Sequence, residues 1–185
     1  MPPVSGEPPL EPRLLTPRLE LWMPQVEDLQ PLYEIVSDEN TARFLGGQAP
    51  MPDHFMRFTR NAGSWLLYGY GMFMVRRRGG DGSLLGNCGI FHSLRGLGED
   101  FDNRPEAGWI IRKDSIGKGY AGEAMRAILE WWDSAFAGEL VCLIVLGNHP
   151  SLKLAEKLGF RPMREAELPD GSQAMLLRRP PQAGE

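Results

Sequence analysis

The stretch Trp109–Ala124, WIIRKDSIGKGYAGEA, holds the residue types and spacing best suited to chemistry. An apolar strand pattern ends, a short turn carries Gly117-Lys118-Gly119, and a helical pattern starts at once. The first turn of a helix has N–H groups without intrahelical acceptors and the positive end of the helix dipole. Glycines, having no Cβ, let a bulky anion come within hydrogen-bonding reach of those amides. Arg112, Lys113 and Lys118 add local positive charge to a chain that is acidic as a whole, with 20 Lys+Arg against 24 Asp+Glu and a formal net charge of −4. The pattern points to a phosphate-bearing ligand, with a ligand-free tight turn as the alternative that the loop alone leaves open.

Two nucleotide-binding patterns do not account for the loop. A P-loop requires Ser or Thr after Gly-Lys, and Gly119 follows Lys118. Gly117, Gly119 and Gly122 have the dinucleotide-fingerprint spacing, but the loop does not follow an opening strand. The acidic residue expected about 20 positions on would be Glu139, which precedes a strand pattern instead of ending one.

Other elements must position this loop. Leu14–Met23 alternates and predicts a first strand. Asp28 can cap a helix whose face is Leu29, Leu32, Tyr33 and Val36, with Pro31 in its first turn. Gly46, Gly47 and Pro50 break the chain, and Asp53 can cap a second helix to about Trp65. Gly71–Arg78 and Leu84–His92 read as strands around a glycine-rich turn at Gly79–Ser83, and Glu106–Arg112 as a fourth strand. Gly119–Phe136 is the clearest helix, with Ala121, Ala124, Met125, Ile128, Leu129, Trp132 and Phe136 on one face. Leu140–Leu146 suits a fifth strand buried on both faces. Pro150–Leu158 is a short helix with Gly159 beyond its end, and Phe160–Leu168 and Gln173–Arg179 flank a hairpin turn at Asp170-Gly171. The order describes an α/β (α+β) fold, one mixed sheet flanked by helices.

Composition narrows the function. With 185 residues, 42% hydrophobic and 24% charged, the chain predicts one ordinary domain over residues 13–180. A short tail, 181–185, is expected after it, and Met1–Pro12, rich in proline, reads as a flexible leading tail without the pattern of a secretory signal. The acidic balance disfavours nucleic acid, and the run Leu140–Leu146 is only roughly a third of a membrane span. Cys88 and Cys142 lie in apolar surroundings, and His54, His92 and His149 have no ligand spacing. The expectation is a cytoplasmic protein with reduced core thiols and no metal. Met72, Phe73 and Met74 and the pair Trp131-Trp132 read as core or interface.

The chain resembles the GNAT superfamily of N-acetyltransferases, in particular the branch that acetylates N-terminal alanine and serine of ribosomal proteins. The resemblance runs from about Leu14 to Arg179 and rests on LLTPRLEL, EAGWII, GKGYAGEA and NHPSLKLAEKLGF in this order. One departure is Asp114, where the family often has Gln or Arg. The resemblance implies a mostly antiparallel sheet splayed between the fourth and fifth strands, with acetyl-CoA in the gap and no metal. The pantetheine arm would pair with Trp109, Ile110, Ile111 and Arg112. The diphosphate would rest on Ile116, Gly117, Lys118, Gly119, Tyr120 and Ala121. Asn148 would hold the pantetheine arm or cap the next helix, or both, and Lys153 or Lys157 would reach the outer phosphate. Amine acetylation needs a proton acceptor and an oxyanion donor. By resemblance these are Glu106 and a backbone N–H near Ile110, while Ser151 would protonate the leaving thiolate or merely cap its helix.

The same resemblance places the acceptor between Asp38–His54 and Arg164–Ser172. The acidic residues there, Asp38, Glu39, Asp53, Glu165, Glu167 and Asp170, favour a cationic amine. The expected acceptor is a protein N-terminal amine. A polyamine or aminoglycoside acceptor, or a non-catalytic acyl-CoA-binding module, is the alternative, and the protein is expected to be a monomer or homodimer.

Overall fold

The structure, a computed structural model, describes residues 11–181, so the tails expected over 1–12 and 181–185 fall largely outside the described residues. The first strand expected over Leu14–Met23 is two strands, β1 (Leu14–Leu15) and β2 (Leu19–Trp22), paired antiparallel with Leu14 opposite Leu21. Pro17 cannot donate to a ladder, and Thr16 closes the turn: its Oγ accepts from the Leu19 N–H at 2.8 Å.

A 3-10 turn, Val26–Asp28, leads into α1 (Leu29–Ser37). Asp28 does not cap α1 with its side chain; its carboxylate accepts from the Gln25 N–H at 2.9 Å and pairs with Arg76. A helix absent from the sequence reading, α2 (Glu39–Ala42), is capped by Asp38 through the Asn40 N–H. α3 (Met51–Tyr68) starts after Pro50, which puts Asp53 inside its first turn and not at the cap.

The remainder follows the expected order: β3 (Met72–Arg77), β4 (Leu84–Ser93), β5 (Arg104–Ile111), α4 (Tyr120–Ala135), β6 (Leu140–Val145), α5 (His149–Lys157), β7 (Arg161–Glu167) and β8 (Gln173–Arg179). The eight strands form one sheet in the order β1-β2-β3-β4-β5-β6-β8-β7. All neighbouring pairs are antiparallel except β5 with β6, which are parallel and registered at one pair, Glu106 opposite Val141. The strands expected to splay, fourth and fifth in the sequence reading, are therefore β5 and β6.

Each face of the sheet is covered. On one, α4 buries Met125, Ile128, Leu129 and Trp132 against Phe73, Ile90, Ala107 and Leu140. Burial of such large side chains contributes roughly 1.5–3 kcal/mol each, which anchors the helix whose first turn forms the glycine loop. On the other face, Leu32 of α1 and Phe58 of α3 pack with Met74 and Leu84. Met72, Phe73 and Met74 are buried, and Trp131 packs edge-on against Phe73, so these aromatic and sulfur side chains are core.

Candidate active site

Beyond the single Glu106–Val141 pair the edges of β5 and β6 separate, leaving a cavity of about 700 Å³. Its walls are Ala107–Ile111 of β5 and Cys142–Val145 of β6. The turn before α4 closes one end, α5 flanks it, and Asn40–Leu45 around α2 lie over it. A strand edge facing such a gap offers backbone donors and acceptors to an extended ligand.

At the turn, Gly117 and Gly119 both have φ of 81°, the left-handed region that glycine enters without Cβ strain, and Gly119 is the N-cap of α4. Among the described residues, the N–H groups of Gly117, Lys118, Gly119, Tyr120, Ala121 and Gly122 have no acceptor. A Cβ at Gly117 would meet nothing within 4 Å. The loop is thus an open cradle of bare amides at a helix N-terminus, the arrangement that binds diphosphates.

Not every residue expected to touch a cofactor faces this cavity. Trp109, Ile110, Ile111, Ile116, Gly117, Gly119, Ala121, Asn148, Ser151 and Lys153 line it, whereas the side chains of Arg112, Lys118 and Tyr120 do not. Arg112 donates to Asp114 at 2.6 Å, and Tyr120 is buried beneath the guanidinium of Arg18, 4.8 Å from its ring. Asp114 is thus occupied on the far side of the loop and leaves the amides clear.

Near Ile110 the N–H groups of β5 divide between β4 and the gap. Arg112 N–H donates to the Leu85 carbonyl, and Ile110 N–H lies against Cys88, so both point to β4. Antiparallel alternation then turns the N–H groups of Trp109 and Ile111 toward the gap.

Glu106 stands apart from the cavity. It is 3% exposed and absent from the cavity wall. Its Oε2 accepts from Ser93 Oγ at 2.6 Å and Arg95 Nε at 2.7 Å, and its Oε1 from Arg95 Nη2 at 2.8 Å. Arg60 of α3 lies within electrostatic range of Glu106; burial, with Arg95 and Arg57, pulls the Arg60 guanidinium below its ordinary pKa. Glu106 is thus a buried carboxylate held by Ser93 and by the part-exposed Arg95.

Asn148 caps α5, its Oδ1 accepting from the Ser151 N–H at 3.3 Å, and still lines the cavity, so capping and ligand contact are compatible. Trp109 Nε1–H donates across the gap to Ser151 Oγ at 3.3 Å. That bond occupies a lone pair of the hydroxyl and leaves its proton available to donate.

Among the described residues, the charged ones lining the cavity are Arg43, Arg126, Lys153 and Lys157, with no carboxylate. None of the acidic residues expected at the acceptor side lines the cavity; Asp170 comes to 3.2 Å from where a Gly46 Cβ would be, joining the β7–β8 turn to the α2–α3 loop. Arg126 escaped the sequence reading, although Gly119, Gly122 and Arg126 stand at i, i+3 and i+7 on one stripe of α4. Arg43 and Phe44 carried no spacing signal.

Cys142 lines the cavity but is 1% exposed, and burial, reinforced by the Glu106 charge, raises its thiol well above the ordinary value. Burial likewise pushes Cys88 up to about 12. These are thiols, not thiolates, and suit core packing. His54 bonds the Leu29 carbonyl, and His92 bridges Tyr70 and Asn103. No helix among the described residues is long and apolar enough to cross a membrane, and no cluster among them could hold a metal ion.

Comparison with known proteins places this geometry. A family model described as "Acetyltransferase (GNAT) domain" matches residues 18–161. A solved structure from Bordetella pertussis, assigned to the GnaT-family acetyltransferases, is 32% identical with a TM-score of 0.80, covering 90% of this chain and 98% of that one. The uncharacterized protein YkkB of Bacillus subtilis (strain 168) is 26% identical over 159 residues, 80% of this chain and 84% of its own. The fold alone recurs in an aminoglycoside acetyltransferase in complex with coenzyme A, at 16% identity and TM-score 0.70 over 88% of this chain and 94% of that one. It recurs likewise in a Salmonella typhimurium acetyl transferase that modifies the N-terminal serine of a 50S ribosomal subunit protein, at 13% identity and TM-score 0.70 over 90% and 97%.

Proposed function

Since the chain belongs to the GNAT acetyltransferase family and is an acetyl-CoA-dependent N-acetyltransferase, we propose that its acceptor is the α-amine of a protein or peptide N-terminus. The observation that carries this reading is that, among the described residues, no carboxylate lines the cavity. Polyamines and aminoglycosides bring several positive charges and need acidic walls. An α-amine has an ordinary pKa of about 7.7–8.0, so a useful fraction is neutral near pH 7 without a strong base. Neighbouring cations lower that value further.

Residues 13–180 act as one catalytic domain in this reading. The diphosphate of acetyl-CoA rests on the amides of Gly117–Gly122, and Arg126, Lys153 and Lys157 meet its phosphates. The pantetheine arm runs along the β5 edge and past Asn148. The neutral amine enters beneath α2, having lost its proton to water, and its nitrogen attacks the acetyl carbonyl carbon. The N–H groups of Trp109 and Ile111 stabilise the developing oxyanion. The C–S bond then breaks. The thiolate takes the Ser151 hydroxyl proton, and the proton shed by the new amide nitrogen restores the serine through water. Glu106 holds Arg95 and supports the pocket floor from outside the reacting atoms.

The test is acetyl transfer, read as free-thiol release, against peptides of varied N-terminal residue, polyamines and aminoglycosides. Peptides should give the highest kcat/KM, and blocking their α-amine should abolish it. Preference for a polyamine or aminoglycoside would overturn the acceptor assignment, and tight coenzyme binding without transfer to any amine would favour a binding module.

A further inference from the structure

Arg18 lies in the turn between β1 and β2, about 100 residues from the glycine loop in sequence, and none of its atoms lines the cavity. Even so, it bonds both that loop and the first turn of α4. Its Nε donates to Glu123 Oε2 at 2.6 Å and its main-chain N–H to Glu123 Oε1 at 2.9 Å. Thr16 Oγ donates to the same Oε1 at 2.6 Å, fastening the turn to the first helical turn of α4. With Nε spent on Glu123, Arg18 Nη1 is free to donate to the Lys118 carbonyl at 3.1 Å. Its Nη2 sits 3.4 Å from where a Gly119 Cβ would be.

We propose that Arg18 is a positioning residue for coenzyme binding: by holding the Lys118 carbonyl on the outer side of the loop, it keeps the Gly119 N–H turned into the phosphate cradle. In a trans peptide the C=O and the following N–H point in opposite directions, and no peptide among the described residues is cis. Lys118 is not a cavity residue and Gly119 is, so a carbonyl drawn outward directs the amide inward. The lock is needed because this peptide ends on Gly119, which sits at φ 81°. Glycine crosses between positive and negative φ at little cost, so an unrestrained Lys118–Gly119 peptide can flip and present its oxygen to the diphosphate instead. The fixed, planar set of guanidinium donors suits one group that must grip a carboxylate and a carbonyl together.

The proposal rests on the seating of the diphosphate described above, and calorimetry of CoA against pantetheine, which lacks the diphosphate, separates the two. Wild-type protein should bind CoA far more tightly; equal affinity would overturn the seating and this inference together. Arg18→Ala should weaken CoA about tenfold, as the competent peptide orientation falls to a minor share, and change pantetheine affinity by less than about twofold. Parallel weakening of both ligands, or undiminished CoA affinity, would overturn the positioning role while leaving the seating intact. Arg18→Lys keeps the positive charge and the pairing with Glu123 but lacks the second planar donor. It should melt near the wild-type temperature and still bind CoA about threefold or more weakly. Full CoA affinity in that variant would assign the effect to charge alone and overturn the lock.

Discussion

Glu106→Gln separates two roles for the same carboxylate. In the structure both oxygens are taken, by Ser93 Oγ at 2.6 Å and by Arg95 at 2.7 and 2.8 Å. Glutamine keeps one acceptor oxygen but turns an NH2 toward an arginine donor, so at least one charge-assisted bond is lost and another weakened. Such bonds are worth about 1.5–3 kcal/mol each, and the exposure of Arg95, 39% against 4% for Glu106, lowers the figure toward about 2 kcal/mol in total. For a chain of this size that is a fall in Tm of about 4–8 °C. Thermal unfolding by circular dichroism measures it, and the pH profile of kcat/KM tests the chemistry in parallel. A buried strut predicts the lower Tm, kcat within about threefold of wild type and an unchanged profile. A general base contributes about 10²–10⁴-fold to turnover. An unchanged Tm with a loss of that order and a vanished acidic limb would refute the strut and make Glu106 the base.

Three further variants test the cradle and its anchor. Gly119→Glu puts a side chain on a residue at φ 81° and an anion among the phosphate-binding amides, so CoA affinity should fall by more than about 100-fold in calorimetry; Gly117→Ala, with nothing within 4 Å, should cost only backbone strain of about 1–2 kcal/mol. Burial opposes the charge on Glu123, but Thr16 and Arg18 outweigh it and hold its carboxyl below the ordinary 4.5. Its stabilisation is therefore complete above that ordinary value and is lost as pH falls through the lower folded value, so a Glu123→Gln variant and wild type should converge in unfolding free energy only in acid.

The sequence made the scaffold legible where a pattern is local. The apolar face of α4, the run Leu140–Val145 and the glycine turn each state their conformation within a few residues, and the structure has all three. Sequence and structure part where one side chain has two possible partners. Asp28 and Asp53 are good cap residues by type; but Asp28 is drawn to Gln25 and Arg76, and Pro50 starts α3 before Asp53 can. Pro17 inside an alternating run signals a turn, and it was this turn that split the first strand.

At the site the division runs between backbone and side chains. The amide cradle was readable because glycine spacing dictates main-chain geometry directly. The role of Glu106 was not, because its neighbour Arg95 is eleven residues away and reaches it only after β4 and β5 pair. Arg18 and Glu123 are separated by 105 residues, and neither carries a mark of the other. The same distance gives the clasp its use. A glycine loop flexible enough to wrap a diphosphate cannot hold its own peptide planes, so its order must come from another element. β1 and β2 are pinned to the sheet by the ladder with β3, and they supply that rigidity to a loop whose own residues lack it. Binding affinity for the coenzyme is thus set partly by a turn that never touches it.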